Sequence, residues 1–597
     1  MEKSVDDEKK YTSPAGSHEA PEYEAGSFEE VKSSKWTHFV DSFKPNPNAS
    51  VTPAGVVGAD GKVIEGSAGP PPEKLSRRLK GRHLQMIAIG GSIGTGLFVG
   101  SGAALAGGGP ASLVIAYGLI GAMLYCTVHA LGELAVVFPV AGSFAAYSSR
   151  FLDPAWGFAM GWNYAMGWLV TLPLEIIAAS ITVSYWDGAK GVNGAVWVTI
   201  FLLVIIAINL FGVKGYGEAE FVFSIIKIVA VLGFISYRAV TAPNAVIVFS
   251  EYALTQEQAQ LTSTLARGAF NNGFKGLCSV FVTAAFSFAG TELVGLAAAE
   301  TANPRKTLPS AIKQVFWRIL LFYMVSLTLV GVLVPYNNPQ LINGSGSSDA
   351  NASPFVIAIK NAGIGGLPSV MNVVILIAVL SVGNSSIYGS SRTLAAMADQ
   401  GQAPKILGYI DRAGRPLVSI LFASSLGFLC YLVAAGSDTR TQAFDWLLAI
   451  SGLSSIFTWG SICFCHIRFR KAWKVQGRSL SELAFRSQPG VYGSWFGLMF
   501  NFLVLIAQFW TAMAPTGYGA LTAGERIQNF FQAYLSAPII VLFYVVFKIV
   551  KRAKIRRTKE MDLVTGQREL NLAQLTEEDR LERMNWSAPK RVYKFFC

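Results

Sequence analysis

Twelve apolar runs divide this chain of 597 residues, near positions 86–106, 112–138, 156–186, 195–212, 217–238, 276–299, 312–335, 365–396, 417–436, 441–466, 491–513 and 530–549. Each is long enough to cross about 30 Å of hydrocarbon as a helix. Strands open to lipid are excluded, because their backbone groups would find no partners there. The runs therefore predict an all-α membrane protein with twelve transmembrane helices. An even number of spans puts both tails on one side.

The placement of charge says which side. Only 14% of the residues are charged, whereas a soluble chain carries about a quarter. The net charge is +12, but Lys and Arg cluster beside the spans, which argues against a nucleic-acid partner. If the tails are cytoplasmic, sixteen of these cations fall on inner connections, Arg318 and Arg392 among them, and seven on outer ones. The segment "KIVKRAKIRRTK" follows the last span directly. This bias predicts cytoplasmic tails.

The chain thus divides into an N-terminal tail over 1–85, a transporter domain over 86–549 and a C-terminal tail over 550–597. Within the domain, 86–238 reads as one repeat, 276–466 as a second, and 491–549 as two added helices. The first 85 residues hold no apolar run of signal-peptide length, so the first span is expected to act as its own insertion signal. Their composition reads as disordered. "SKWTHFVDSF" (Ser34 to Phe43) within them is either a short interfacial helix or a solvated linker. The sequons at Asn343 and Asn351 fall in a predicted outer loop and suit glycosylation; those at Asn48 and Asn585 fall in the tails and do not.

Five of the six cysteines, Cys126, Cys278, Cys430, Cys463 and Cys465, lie in or beside apolar runs. No pair falls in a predicted outer loop, so no disulfide framework is expected. "CFCH" (Cys463 to His466) points its members to different sides of a helix, and no metal is expected there. No nucleophile–base arrangement is evident, so the chain does not read as an enzyme.

Four features inside the spans carry a cost in hydrocarbon. The first is "IAIGGSIGTGLFVGSG" (Ile87 to Gly102), whose glycines weaken the first span near its middle. A dinucleotide site is excluded, because it needs a preceding strand and a βαβ unit. Helix packing remains open, since Gly90/Gly94 and Gly96/Gly100 are GxxxG pairs. The second feature is "FSFAGTELVG" (Phe286 to Gly295) in span six, with Glu292. Matched interruptions in corresponding spans point to a transporter of inverted repeats, here spans 1–5 and 6–10. The third and fourth are Glu175 in span three and Lys227 in span five. Intramembrane charges are functional candidates by default, with a structural pair as the alternative reading. Glu133 and Glu300 divide evenly between gating and interface charge, and His129 reads as a packed helix residue.

These residues resemble the fungal amino-acid permeases, the yeast amino acid transporter family of the amino acid–polyamine–organocation superfamily. The resemblance covers about residues 75–597. It rests on "RRLKGRHLQMIAIGGSIGTGLFVGSG", "FPVAGSFAAYSSRFLDPAWGFAMGWNYA", "FSFAGTELVGLAAAETANPRKTLPSA", "SIYGSSRTLAAMADQGQAP" and "HIRFRKAW". The general, broad-specificity branch matches most. The family implies a five-plus-five inverted repeat with broken helices 1 and 6, alternating access, and uptake of L-amino acids at the plasma membrane driven by protons, with no other cofactor. Carried over by motif, Ser92, Ile93, Gly94, Thr95 and Gly96 would bind the substrate carboxylate, consistent with freed amides at a half-helix N-terminus. Carbonyls near Phe286, Ser287 and Ala289, with Gly290 in the same break, would take the ammonium, and the Phe286 ring would close over the substrate. Glu175 matches a glutamate of the substrate site. Lys227 and Glu292 match positions linked to proton coupling, Lys227 standing where sodium binds in sodium-driven relatives.

The family also implies S-acylation of Cys597, beside Phe595 and Phe596, and ubiquitin ligase adaptors acting on tail lysines such as Lys3, Lys9 and Lys10. Membrane lipid is the surrounding partner. Side-chain selectivity is expected from pocket residues such as Asn384, Thr458 and Trp459. Two other readings stay open: an amino-acid-sensing receptor with little transport, and a permease narrow for one class such as proline or basic amino acids.

Overall fold

The computed structural model describes residues 35–46, 75–91, 93–241, 269–301, 303–342, 353–363, 365–434, 437–515, 519, 521–567, 581, 584 and 587. Ser92, Cys597, the four sequons, Lys3, Lys9 and Lys10 lie outside the described residues. Lys35–Asp41, inside the aromatic stretch of the N-terminal segment, is a helix.

From Phe43 onward the described residues build twelve spans. Span 1 begins as the half-helix Gly81–Gly90. After a gap it resumes in the helical run Gly96–Val137, which also contains span 2. That run breaks at Gly109, whose φ of 83° suits glycine, and restarts at Pro110. Spans 3, 4 and 5 are Pro154–Val183, Gly194–Leu210 and Gly212–Thr241. Span 6 is Gly273–Phe288 followed by Leu293–Ala297 and a 3-10 turn, Ala298–Glu300. Spans 7 and 8 are Pro304–Leu333 and Leu367–Asp399, and span 9 is Leu417–Leu432. Spans 10 and 11 are Ser437–Val475 and Gly490–Met513. Span 12 is a bent pair, Ala523–Tyr534 and Ser536–Lys551, at 62°. Its expected start near 530 is therefore too late. The first piece is polar enough to hide in the sequence, and Pro538, which cannot donate back to the preceding turn, sits just past the bend.

Local sequence explains the ends. Asp153 accepts from the Ala155 amide at 3.0 Å to start span 3, with Pro154 in its first turn. Asn193 does the same for span 4 and Asn303 for span 7. Span 3 is the most enclosed of the long spans, with 89% of its apolar stretch buried against 28% for span 11. Span 3 is central and span 11 faces outward.

Spans 1 and 6 are tied together at three heights. On the side where both tails lie, the Leu79 amide donates to Glu300 O at 3.2 Å. In the middle, a Cβ on Gly96 would fall 2.4 Å from Ser287 Cα. At the far side, Asn271 and Asn272 donate to the terminal carbonyls of Ala106 and Gly107 at 2.7 and 3.0 Å.

After span 12 the chain crosses the tail side as a strap. The Arg556 amide donates to Leu152 O at 2.9 Å, Gln476 to Met561 O at 2.8 Å and Arg150 to Thr565 O at 2.7 Å. Met561 and Leu563 of the strap are buried.

Candidate functional site

Glycines shape the interruption of span 1 through what lies against them. A Cβ on Gly90 would fall 2.0 Å from Ser224 Oγ of span 5, and one on Gly94 would fall 2.4 Å from Val382 Cγ2 of span 8. With Gly96 against span 6, three glycines meet three different neighbours. The packing and the interruption are thus one feature. The first half-helix ends at Gly90, Gly91, Ile93 and Gly94 lie outside it, and the helix resumes at Thr95 and runs into a π-helical turn, Gly96–Gly100. The Leu97 and Phe98 amides both turn back to Gly94 O at 3.1 Å.

Span 6 breaks at the same depth. Ala289 is extended and Gly290 has φ 93°, a conformation that disfavours any side chain. Glu292 holds this turn. Its Oε1 accepts from the Gly290 amide and from Tyr164 OH, and its Oε2 accepts from Trp459 Nε1, all at 3.2 Å.

Between the two breaks lies a narrow cavity. Gly94, Thr95 and Gly96 form one wall, and Phe286 and Ala289 another. Span 3 contributes Tyr164, Trp168, Thr171 and Glu175, and span 10 contributes Ser451, Ser454 and Ser455. Glu175 is the one charged residue of this lining among the described residues. Thr95 Oγ1 donates to its Oε2. Its Oε1 is buried without a hydrogen-bond partner among the described residues.

Of the residues singled out in the sequence, Gly94, Thr95, Gly96, Glu175, Phe286 and Ala289 meet at this cavity. Ile93, Ser287 and Gly290 do not line it. Ile93 is fully buried. The Ser287 carbonyl accepts from Tyr323 OH at 2.6 Å, so it is already engaged. Glu292 stands one hydrogen bond behind the cavity, through Tyr164. Lys227 lies behind the span 1 break, donating to Gly90 O at 2.5 Å and to Ser381 Oγ at 2.8 Å.

The selectivity candidates need correction. Asn384 donates to Glu220, Thr458 accepts from Asn163, and Trp459 bonds Glu292; none lines the cavity. The lining on span 10 is the serine set one and two turns earlier. Arg318 and Arg392, counted as connection charges, are buried inside the helix bundle. Arg318 donates to Ala88 O at 2.9 Å, near the end of the first half-helix, where a cation is favoured. Arg392 pairs with Glu300 at 3.3 Å. Glu133 pairs with Arg470 at 2.5 Å and lies 3.1 Å from His466. His129 packs between Tyr125 and Phe485. Glu220 is also buried in span 5; standing at the start of an apolar run, it gives no sign of that burial in the sequence.

The chain is similar to known proteins over most of its length. The model of the family described as "Amino acid permease" matches residues 83–560. A "General amino-acid permease GAP2" of Candida albicans is 57% identical over 534 residues, covering 88% of this chain and 87% of the relative. A "General amino-acid permease GAP1" of Saccharomyces cerevisiae is 51% identical over 573 residues, covering 94% and 92%. A "Cationic amino acid transporter 1" of Schizosaccharomyces pombe is 48% identical over 560 residues, covering 93% and 88%. A solved manganese transporter of Eremococcus coleocola aligns with a TM-score of 0.47 at 15% identity, over 79% of this chain and 94% of its own.

Proposed function

Because this chain belongs to the amino acid permease family, we propose that it imports L-amino acids of several side-chain classes, coupled to proton entry, by alternating access. The observation that carries the reading is the cavity between two interrupted spans, with an unpartnered Glu175 oxygen in its wall.

The first amides of a half-helix lack intrahelical acceptors and lie at the positive end of its dipole. Those at Gly94, Thr95 and Gly96 therefore suit a carboxylate. An α-ammonium finds the carbonyls around Phe286 and Ala289, and the Phe286 ring covers the pair. These groups recognise the part common to all α-amino acids. The rest of the wall is aromatic and hydroxylic, with no further charge to select one side-chain class. That supports broad specificity, as does the word "General" in the names of two relatives. Lys227 fills the space between the span 1 break and span 8 with an ammonium group, which leaves a sodium ion disfavoured there and a proton as the coupling ion. The Lys and Arg bias favours cytoplasmic tails and a plasma-membrane importer. Cys597 acylation and adaptor binding to tail lysines fit that setting.

Uptake of labelled amino acids in a yeast strain lacking its own permeases tests the reading. Competition by each of the twenty unlabelled amino acids should reveal several classes of competitor. Uptake should rise as external pH falls, vanish with a protonophore, and ignore sodium. Sodium-dependent uptake that survives the protonophore would overturn the coupling assignment.

A further inference from the structure

Span 5 carries a second buried acid that the reading above leaves unused. Glu220 lies seven residues before Lys227, about 10 Å lower along the axis toward the tail side, and on the same helix face. Both side chains are fully buried. The lysine side chain leans toward the helix N-terminus, and span 8 closes the remaining gap. Ser381 Oγ accepts from Lys227 Nζ at 2.8 Å and donates to Glu220 Oε2 at 2.7 Å. One hydroxyl thus joins the ammonium to the carboxylate in the correct donor order. Glu220 Oε1 accepts from Asn384 Nδ2 at 2.9 Å, and Asn384 is itself fixed by Asn209 of span 4 at 2.9 Å.

We propose that Glu220 receives the proton that Lys227 gives up, by way of Ser381, and passes it toward the tail side. The proposal rests on the proton-coupled reading. In the step, an N–H bond of the Lys227 ammonium breaks and its proton bonds to Ser381 Oγ. The original Ser381 proton leaves for Glu220 Oε2. The serine is regenerated, no electron pair changes element, and two buried charges disappear together, so the low-dielectric interior is not left with a lone charge. A neutral amine also holds Gly90 O less firmly than an ammonium does. The position of the proton is thereby linked to the end of the first half-helix. Beyond Glu220, Tyr216 OH meets Ser385 Oγ at 3.1 Å, one turn nearer the tail side. The titratable and charged groups around the relay are Tyr216 on span 5, His83 on span 1, Glu175 on span 3, Arg318 on span 7, and the Arg392–Glu300 pair.

The full chain in liposomes with a luminal pH dye tests the relay. Proton influx is driven by an equimolar mixture of the twenty proteinogenic L-amino acids. Counterflow exchange of the same mixture, labelled with carbon-14, is measured at equal pH on both sides. Glu220→Gln should lower influx about 100-fold, the low end for a positioned proton-transfer group, while exchange persists. Glu220→Asp should restore part of the influx. Ser381→Ala, which removes the bridge and neither charge, should behave as Glu220→Gln does. Unchanged influx in Glu220→Gln, or in Ser381→Ala should the first variant fail to fold, overturns the relay. Equal loss of influx and exchange in both variants overturns it too, since that marks a role in packing alone. A parent protein that exchanges amino acids but admits no protons overturns the proton-coupled reading itself, a result visible before any variant is compared.

Discussion

Glu175 keeps one carboxylate oxygen on Thr95 and leaves the other in the cavity wall without a partner. An unsatisfied buried acceptor costs about 1–3 kcal/mol, and more when charged. A substrate ammonium or a proton arriving there is favoured by at least that amount. Glu175→Gln keeps the shape and an acceptor for Thr95 but removes the charge. Uptake should fall about 100-fold, as for loss of a positioned acid or base, with the protein still at the membrane. Labelled uptake normalised to surface protein checks this. The sequence made Glu175 conspicuous because a carboxylate in an apolar run has few other uses. It could not reveal Tyr164, Ser451 or Ser454, which look like ordinary residues of an enclosed helix until the bundle places them on the cavity. Glu220 stayed hidden for a related reason: a charge near the end of a run reads as interfacial, and only packing against span 8 buries it.

At the scale of the element, the interrupted span 1 is held open by backbone contact. The atom nearest a Cβ on Gly96 is Ser287 Cα, and backbone cannot yield as a side chain does. Overpacking costs about 1–3 kcal/mol even where some relaxation is available. Gly96→Leu should therefore abolish uptake and lower the thermal midpoint of the purified protein, and Gly96→Ala should lower it less. Uptake and a thermal melt of both variants check this. Full uptake in Gly96→Leu would return the glycines to peripheral packing. The breaks in spans 1 and 6 were legible because glycine is expensive in a helix and rarely collects there without cause. The bend in span 12 was not, because its first piece is amphipathic and lacks the continuous apolar signal of a span.

Across the whole molecule, the segment after span 12 binds back onto the helix bundle. Asp562 anchors its turn, accepting from the Val564 and Thr565 amides at 2.9 Å. Burial raises the Asp562 carboxyl, but the hydrogen bonds from Thr565 and Val564 and the nearby Arg150 outweigh it and hold the group below its ordinary value of 3.8. A lowered folded-state value stabilises the ionised form, so its contribution is complete above the unfolded value and is lost as pH falls through the folded one. The strap should hold equally at pH 7 and pH 5 and loosen below about pH 4. Asp562→Ala should loosen it at neutral pH. Hydrogen exchange at the Met561 to Thr565 amides, corrected for intrinsic rate, checks both. The sequence divided tail from bundle at residue 550, where the apolar signal ends, because a strap held by backbone carbonyls leaves little trace in composition.

The three ties between spans 1 and 6 have a mechanical consequence. A rod clamped to its mate at both ends and at mid-height cannot slide against it. The Gly94 contact with span 8 is made to the end of a side chain, Val382, which can change rotamer, whereas a Cβ on Gly90 would also fall 2.9 Å from the Ser224 Cα of span 5. Any motion that opens the cavity therefore shears along the softer seam with span 8. The clamped pair turns as one piece, carrying both half-helix ends and whatever they grip.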